Sequence, residues 1–416
     1  MTPAAIPDEG RLTARAAVLV FLAFALAYFL SALVRAVTAT LSPTLSVELD
    51  LSASDLGLLA GGYFLGFALT QLPLGRWLDR FGPKRVILAF LAVAVVGCGL
   101  FALATSFSGL LAARVLTGMG VSACLMAPLT GYRRWLSPPT QLRANSWMLM
   151  TGSLGMVAAT LPVQWLLPLT GWRGLFWLLA LGIAGSMLLI GLLVPRWSQD
   201  AQPAPGEAVG YAAIWRHPYF RQMVPVGFFS YGGMVAVQTL WAGPWMVKVA
   251  GYSANEAAAG LFAINLSMLC TFWLWGVINP GLARRGLTPE RLITFGLPLS
   301  FLPLTLIVFL GEHAGWGWWA LFCVSSTFVS LSQPAVALAM PPQAAGRALS
   351  AFNLVIFSGV FLVQWGIGLA IDALTVLGWS EPARYRGAVA LFGLSCVLAY
   401  LAFWRAGHRA AGAKAR

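Results

Sequence analysis

The chain has 416 residues, of which 59% are hydrophobic and only 9% charged, and it carries a formal net charge of +13. Soluble domains carry about 25% charged residues, so a water-soluble fold of this length is excluded for want of polar surface. The basic excess is scattered over short segments between apolar runs, which excludes the concentrated basic patch of a nucleic-acid-binding protein.

The apolar runs are long and continuous, the length that crosses a hydrocarbon core of roughly 30 Å as a helix; barrel strands are shorter and alternate. In chain order they predict spans at 14–45, 54–78, 85–105, 108–134, 142–168 and 173–194, then 222–250, 254–283, 289–311, 315–341, 345–376 and 384–407. The polar tail Thr2 to Leu12 precedes the first span, whose apolar run is too long for the h-region of a cleavable signal peptide. The longest break, Pro195 to Arg221 with Gln199, Asp200, Gln202 and Glu207, divides the spans six and six. The expected organisation is therefore an all-α membrane protein of twelve transmembrane helices. Residues 1–194 form an N-terminal half, 195–221 a linker and 222–416 a C-terminal half.

Basic residues set the orientation. With the N-terminus inside, the cytoplasmic segments hold 20 of the 26 Lys and Arg, among them Arg76, Arg80, Lys84, Arg85, Arg133, Arg134, Arg143, Arg284, Arg285 and Arg347. The outer side holds Arg173, Lys248, Arg384 and Arg386, and Arg35 and Arg114 fall inside spans. This asymmetry predicts an integral protein of the cytoplasmic (inner) membrane with both termini in the cytoplasm. Trp172, Trp177, Trp316, Trp318 and Trp319 lie near span ends, where interfacial anchors are expected.

The five cysteines (Cys98, Cys124, Cys270, Cys323, Cys396) fall in predicted spans without a CxxC pair and read as packing residues. His217, His313 and His408 are too scattered for a metal site. No phosphate loop and no soluble domain able to hydrolyse ATP is present, and no nucleophile, base or metal constellation marks an enzyme. The reading is of a secondary or facilitative transporter with no metal and no cofactor. Its partners are a small-molecule substrate and the lipid bilayer, with no nucleic acid, and it is expected to work as a monomer.

An internal repeat supports the two halves. An offset of about half the chain pairs Pro138, Arg143, Ala144, Ser146 and Gly155 with Pro342, Arg347, Ala348, Ser350 and Gly359. The same offset sets Leu78, Arg80 and Gly82 on Leu282, Arg284 and Gly286. Parallel six-helix halves with a substrate site between them near the midplane are a recurring transporter plan.

The run Gly75-Arg76-Trp77-Leu78-Asp79-Arg80-Phe81-Gly82-Pro83-Lys84-Arg85 resembles the signature loop between the second and third spans of the major facilitator superfamily. Trp77 and Pro83 depart from that pattern. Arg114-x-x-x-Gly118-x-Gly120 in the fourth span resembles a second motif of the same superfamily. The resemblance implies two pseudo-symmetric six-helix halves, with spans 2 and 11 facing each other. It implies further that Gly75, Asp79, Arg80 and Gly82 belong to a gate that closes the cytoplasmic side. Asp79 would sit near the positive N-terminal end of span 11, a contact of roughly 0.3–1 kcal/mol, up to about 2 when partly buried; the alternative is a basic loop that only fixes topology. Gly75 would let that helix approach. Gly57, Gly61, Gly62 and Gly66 of span 2, with Gly359, Gly366 and Gly368 of span 11, supply further flat surfaces.

A cation inside a span costs at least about 2.5–3.5 kcal/mol and so marks a functional site by default. Arg35, with Pro43 eight residues on and Leu56-Gly57 beyond, resembles the organophosphate:phosphate antiporters of the superfamily, in which the first-span arginine binds the substrate anion. That family's second-span lysine aligns with Gln71, and its seventh-span arginine falls near Val235, before Gln238 and Trp241. Two of the three phosphate-binding cations are thus missing, which argues against a phosphate dianion. The nitrate/nitrite pattern fails as well, because spans 2 and 8 carry no central arginine. One guanidinium suits a carboxylate, a sulfonate or the carboxylate of an amino acid or peptide, held by a bidentate fork. The alternative for Arg35 is a structural role on helix-end carbonyls; Arg114 is read either as a substrate contact or as a structural pair. Gln238, Trp241, Asn265, Trp273, Asn353 and Gln364 would line the cavity with amides and aromatic walls, or pack.

Two rival functions are weighed. Multidrug or metabolite export is disfavoured by the fifth span, Gly152 to Pro162, which lacks the Gly-Pro pair of drug–proton antiporters. A non-transporting ligand sensor would need an appended domain or a partner surface. Finally, all thirteen acids fall in tails, loops or span ends, Asp372 coming nearest to the membrane. A uniporter or exchanger is therefore expected, the rival being a titrating Asp372 in a water-filled vestibule.

Overall fold

The computed structural model describes residues 11–196, 210–341 and 344–414. Asp8, Glu9, Gln199, Asp200, Gln202, Glu207, Pro342 and Arg416, which figure in the sequence reading, lie outside them. Among the described residues all regular structure is helical, as a bilayer requires of a chain that is not a closed barrel.

Helix α1 is Ala14–Glu48, capped by the Thr13 hydroxyl on Ala16 N. Helix α2 (53–81) opens on a capping box in which Ser52 and Asp55 each accept the other's backbone N–H, and ends at Gly82. With φ of 76°, Gly82 adopts a left-handed backbone that an L side chain resists, and Pro83 then starts α3 (83–103) with a pre-set φ. A glycine and a proline thus replace the longer loop expected between spans 2 and 3. Helix α4 runs over 107–135. Helix α5 (138–170) bends at Ala159 and Thr160, and Gly171, with φ of 63°, separates it from α6 (172–193). The second half consists of α7 (218–248), preceded by the short helix Tyr211–Arg216, then α8 (Ala254–Arg284), α9 (289–310), α10 (316–338), α11 (Ala345–Val376) and α12 (Glu381–Lys414).

Ten helical segments of the described chain are long and apolar enough to cross a membrane on their own. The other two spans are α2 and α5, whose last turns continue almost unbroken into α3 and α6. Twelve membrane helices in two six-helix halves result, and the pseudo-symmetry is visible in detail. Gly286 repeats the left-handed conformation of Gly82, with φ of 74°. The Ser253/Glu256 capping box opens α8 as Ser52/Asp55 opens α2. Gly155 of α5 packs on the Phe29 carbonyl of α1, and Gly359 of α11 packs on the Phe228 carbonyl of α7.

Across the halves, α2 packs along α11, α1 against α7, and α5 against α8. A side chain at Gly57, Gly61 or Gly368 would collide with Gln364 O, Phe361 or Ala53 O respectively, so these glycines set the α2–α11 distance. Gly62 and Gly66 instead face α4, at Leu111 and Val115, within the first half. Gly75 carries no comparable demand: a Cβ there would meet only Ser350 Oγ, at 4.0 Å, and Gly366 has nothing within that distance. Close approach is thus needed at the end of α2 far from the termini, and the expectation for Gly75 is corrected. Two expected surface tryptophans are also buried. Trp172 donates to Glu48 Oε2 at 2.7 Å, and Trp319 packs edge-on against Trp245. Both are internal struts, while Trp177 and Trp316 are exposed.

Candidate functional site

The centre of the molecule is built around Arg35. Its position midway along α1 places it at membrane depth, and its guanidinium lies 5.8 Å from the ring centroid of Phe67 on α2. Three tyrosines from three helices lie near it: Tyr63 of α2, Tyr28 of α1 and Tyr231 of α7. Tyr28 stands two turns before Arg35 on the same helix face. Tyr63 is fixed by donating its hydroxyl proton to Ser31 O at 3.2 Å. Arg35 Nε is buried without a hydrogen-bond partner, and Arg35 has no carboxylate partner among the described residues. A cation in low dielectric with an idle donor is costly, and an anion entering the site would supply what is missing.

Arg114 also leaves its Nε without a partner, but its terminal guanidinium nitrogens are both engaged. It is fully buried, donates to Val34 O at 3.1 Å and Thr38 Oγ1 at 2.6 Å, and lies over the Tyr63 ring at 5.2 Å. It braces α4 against α1 on both sides of Arg35 and so positions that residue.

The second half presents amides. Gln238 Nε2 donates to Asn265 Oδ1 at 3.0 Å, and Asn265 Nδ2 to Leu261 O at 2.9 Å. Gln364 Nε2 donates to Thr239 Oγ1, and Trp241 Nε1 to the Gln364 carbonyl, both at 3.0 Å. Gln364 Oε1 is buried and unpaired. A second chain crosses between the halves: Tyr231 OH to Gln333 Oε1 at 3.4 Å, Gln333 Nε2 to Asn353 Oδ1 at 2.6 Å, and Asn353 Nδ2 to Gln71 Oε1 at 3.4 Å. Tyr231 therefore links Arg35 to the amides. Five of the six second-half candidates belong to these networks. Trp273 does not: it is 66% exposed and stands apart.

Sequence reasoning missed Tyr28, Tyr63, Tyr231 and Gln333. One signal was available for Tyr28, its seven-residue spacing from Arg35. Tyr231, Gln238 and Trp241 share a structural feature not predictable from composition: α7 contains two π-helical stretches, Val226–Tyr231 and Val237–Trp241. Such widened turns occur often at functional sites, because they redirect side chains without breaking the helix.

On the face carrying the chain termini, Asp79 at the end of α2 feels the charge of Arg347, in the first turn of α11, and of Arg133 near the end of α4. Arg80 lies over the Phe81 ring at 5.2 Å, and Tyr211 donates to Leu72 O at 3.1 Å on the same side. On the opposite face, the half-buried Asp372 of α11 accepts from Ala53 N at 3.2 Å and Ser54 N at 2.8 Å.

Twelve helices in two like halves, with a charged centre between them, define an integral membrane transport protein rather than an enzyme. The profile of the Major Facilitator Superfamily matches residues 24–364, and the chain belongs to that family. It is 25% identical over 400 residues to the 3-(3-hydroxy-phenyl)propionate transporter of Escherichia coli, covering 83% of this chain and 89% of that one. It is also 25% identical over 233 residues to the candidate niacin/nicotinamide transporter NiaP of Bacillus subtilis, a match that spans 54% of this chain and only 57% of that relative. Multidrug resistance protein MdtL of Shigella flexneri is 29% identical over 171 residues, 40% of this chain and 42% of that one. In fold, the chain is similar to the crystal structure of a bacterial homologue of the human lysosomal transporter Spinster, with a TM-score of 0.77 at 18% identity over 95% of this chain and 98% of that one.

Proposed function

We propose that this protein moves a small organic anion, or a zwitterion through its carboxylate, across the cytoplasmic membrane by alternating access. The observation that carries the reading is the buried, unpartnered Nε of Arg35 in a ring of tyrosines. A carboxylate or sulfonate can take two guanidinium N–H groups in one plane, and the Tyr28 hydroxyl, whose proton is not given to Ser31 O or Gln333 Oε1 as those of Tyr63 and Tyr231 are, can donate to a remaining lone pair. Gln238, Asn265, Trp241, Gln364 and Asn353 contact the uncharged part of the solute, and Arg114 holds α1 in place for it. Trp273 has no part in this contact. The propionate named for the Escherichia coli relative is an anion of this kind.

In this reading the two halves are residues 1–194 and 222–416, joined by a linker at 195–221, and the termini face the cytoplasm. Asp79, Arg80 and Gly82 form the gate on that side, without the close approach expected at Gly75. The protein is a uniporter or an exchanger, driven by solute gradients with any proton movement carried by the substrate itself, and it works as a monomer with no cofactor. Asp372 lies at one face, on the backbone N–H groups that open α2, and not at membrane depth, which supports a cycle that protons do not drive.

The test is uptake into proteoliposomes of radiolabelled aromatic and aliphatic carboxylates, sulfonates and amino acids. Saturable flux of at least one anion, lost in Arg35→Ala, is expected. Flux confined to neutral or cationic drugs would favour the second reading, multidrug export, for which the similarity to MdtL is the specific observation. Ligand binding without net flux would favour a sensor.

A further inference from the structure

Helices α2 and α11 run antiparallel across the interface between the halves, so each begins where the other ends. A carboxylate stands at the end of each. Asp79 closes α2 beside the first turn of α11, and Asp372, near the end of α11, reaches the first turn of α2. Resemblance and sequence point only to the first.

The bonding at the second is unusually well divided. The first four N–H groups of a helix have no partner within it. At α2 the capping box meets two of them locally, Ser52 N on Asp55 Oδ2 at 3.2 Å and Asp55 N on the Ser52 hydroxyl at 3.1 Å. The remaining two, Ala53 N and Ser54 N, are met by Asp372 from the other half. Negative charge at a helix N-terminus is favoured by the dipole as well as by the hydrogen bonds. The glycines needed for close contact lie at this same end: Gly368, one turn before Asp372, packs on Ala53 and Ser54, and Gly57 packs on the Gln364 carbonyl. The seal is therefore made of groups that water can replace. When the face opens, the carboxylate and both N–H groups hydrate.

We propose that Asp372 is the latch of the face opposite the termini, the reciprocal of Asp79. Its bond to the start of α2 holds that face shut and is broken each time the site opens there. The proposal rests on the alternating-access reading.

Distances between spin labels test it in the full-length protein without solute. Labels at Val47 and Val376, both exposed at the face opposite the termini, report that side; labels at Leu142 and Leu338, both exposed, report the other. The exposed Cys270 is replaced by Ser, the remaining four cysteines being buried. Asp372→Ala should raise the ratio of long to short Val47–Val376 distances roughly tenfold, the scale of a partly buried charge at a helix terminus. Asp372→Asn should give a smaller shift, because one acceptor remains. Gly368→Ala should open the same face by forcing the helices apart, with Asp372 intact. Asp79→Ala should lengthen Leu142–Leu338 instead. A variant that simply fails to fold would broaden both pairs together, and the other two then decide. Unchanged Val47–Val376 distances in Asp372→Asn and Gly368→Ala, or the same face opening for Asp79 and Asp372 variants, would overturn the latch. Should the distances shift as expected in a protein that moves no solute, the latch stands and the transport reading fails.

Discussion

The two halves of the molecule share a fold but bring opposite chemistry to the centre. The first half contributes charge: Arg35 with an idle donor, Arg114 buried behind it, and Tyr28 and Tyr63 alongside. The second contributes neutral hydrogen-bonding groups, Gln238, Asn265, Gln333, Asn353 and Gln364, with Trp241 and Tyr231. A guanidinium fork recognises one end of a solute strongly and says little about the rest, whereas amides discriminate by geometry at modest energy. On the function proposed above, this division would let one half hold the anion while the other reads the remainder, and a solute touching both halves would favour their closure.

The comparison is sharpest at Arg114. Its two hydrogen bonds to α1 make it part of the first half's frame, so Arg114→Ala should destabilise the protein by about 3 kcal/mol or more, through lost bonds and a void. A fall in the melting temperature of the solute-free protein would show this. If Arg114→Ala melts normally yet loses binding, the residue belongs to the site itself. A smaller effect is expected at Gln364, whose Oε1 is buried and unpaired. Gln364→Ala should weaken solute binding by about tenfold, the scale of one or two hydrogen bonds, and leave the preference for anions intact. A loss of that preference would erase the distinction between the halves. The smallest effect is at Trp273: its exposed side chain predicts that Trp273→Ala changes affinity less than about twofold, within the usual range for surface substitutions.

Much of this was legible in the sequence, for identifiable reasons. Blocks of apolar residues must become helices in a bilayer, so all twelve spans could be placed. Arg35 stood out because a charge in a span is expensive wherever it is found. The amides at 238, 265, 353 and 364 were legible as polar residues in apolar runs, but their pairing was not, since Gln238 meets Asn265 and Gln364 meets Thr239 only after three helices pack. Tyr63 and Tyr231 were invisible because tyrosine is apolar enough to belong in any span, and only its seven-residue spacing from Arg35 set Tyr28 apart. Trp172 and Trp319 misled for a related reason: position near a span end does not tell whether the ring faces lipid or a neighbouring helix. The role of Asp372 depended on α11 ending where α2 begins, a relation between distant segments that no local pattern records.

The central claim is that Arg35 recognises negative charge, and the most direct measurement compares a carboxylate with its own amide. Binding of both members of such a pair, the carboxylate one that the wild-type protein transports, would be measured by calorimetry on wild type, Arg35→Ala and Arg35→Lys. Wild type should prefer the carboxylate by about a hundredfold, the worth of a charge-assisted bidentate contact. Arg35→Ala should abolish that preference, and Arg35→Lys should restore only part of it, because an ammonium cannot reproduce the planar fork. If Arg35→Ala keeps the wild-type preference for the carboxylate, the charge is read elsewhere and the account is wrong.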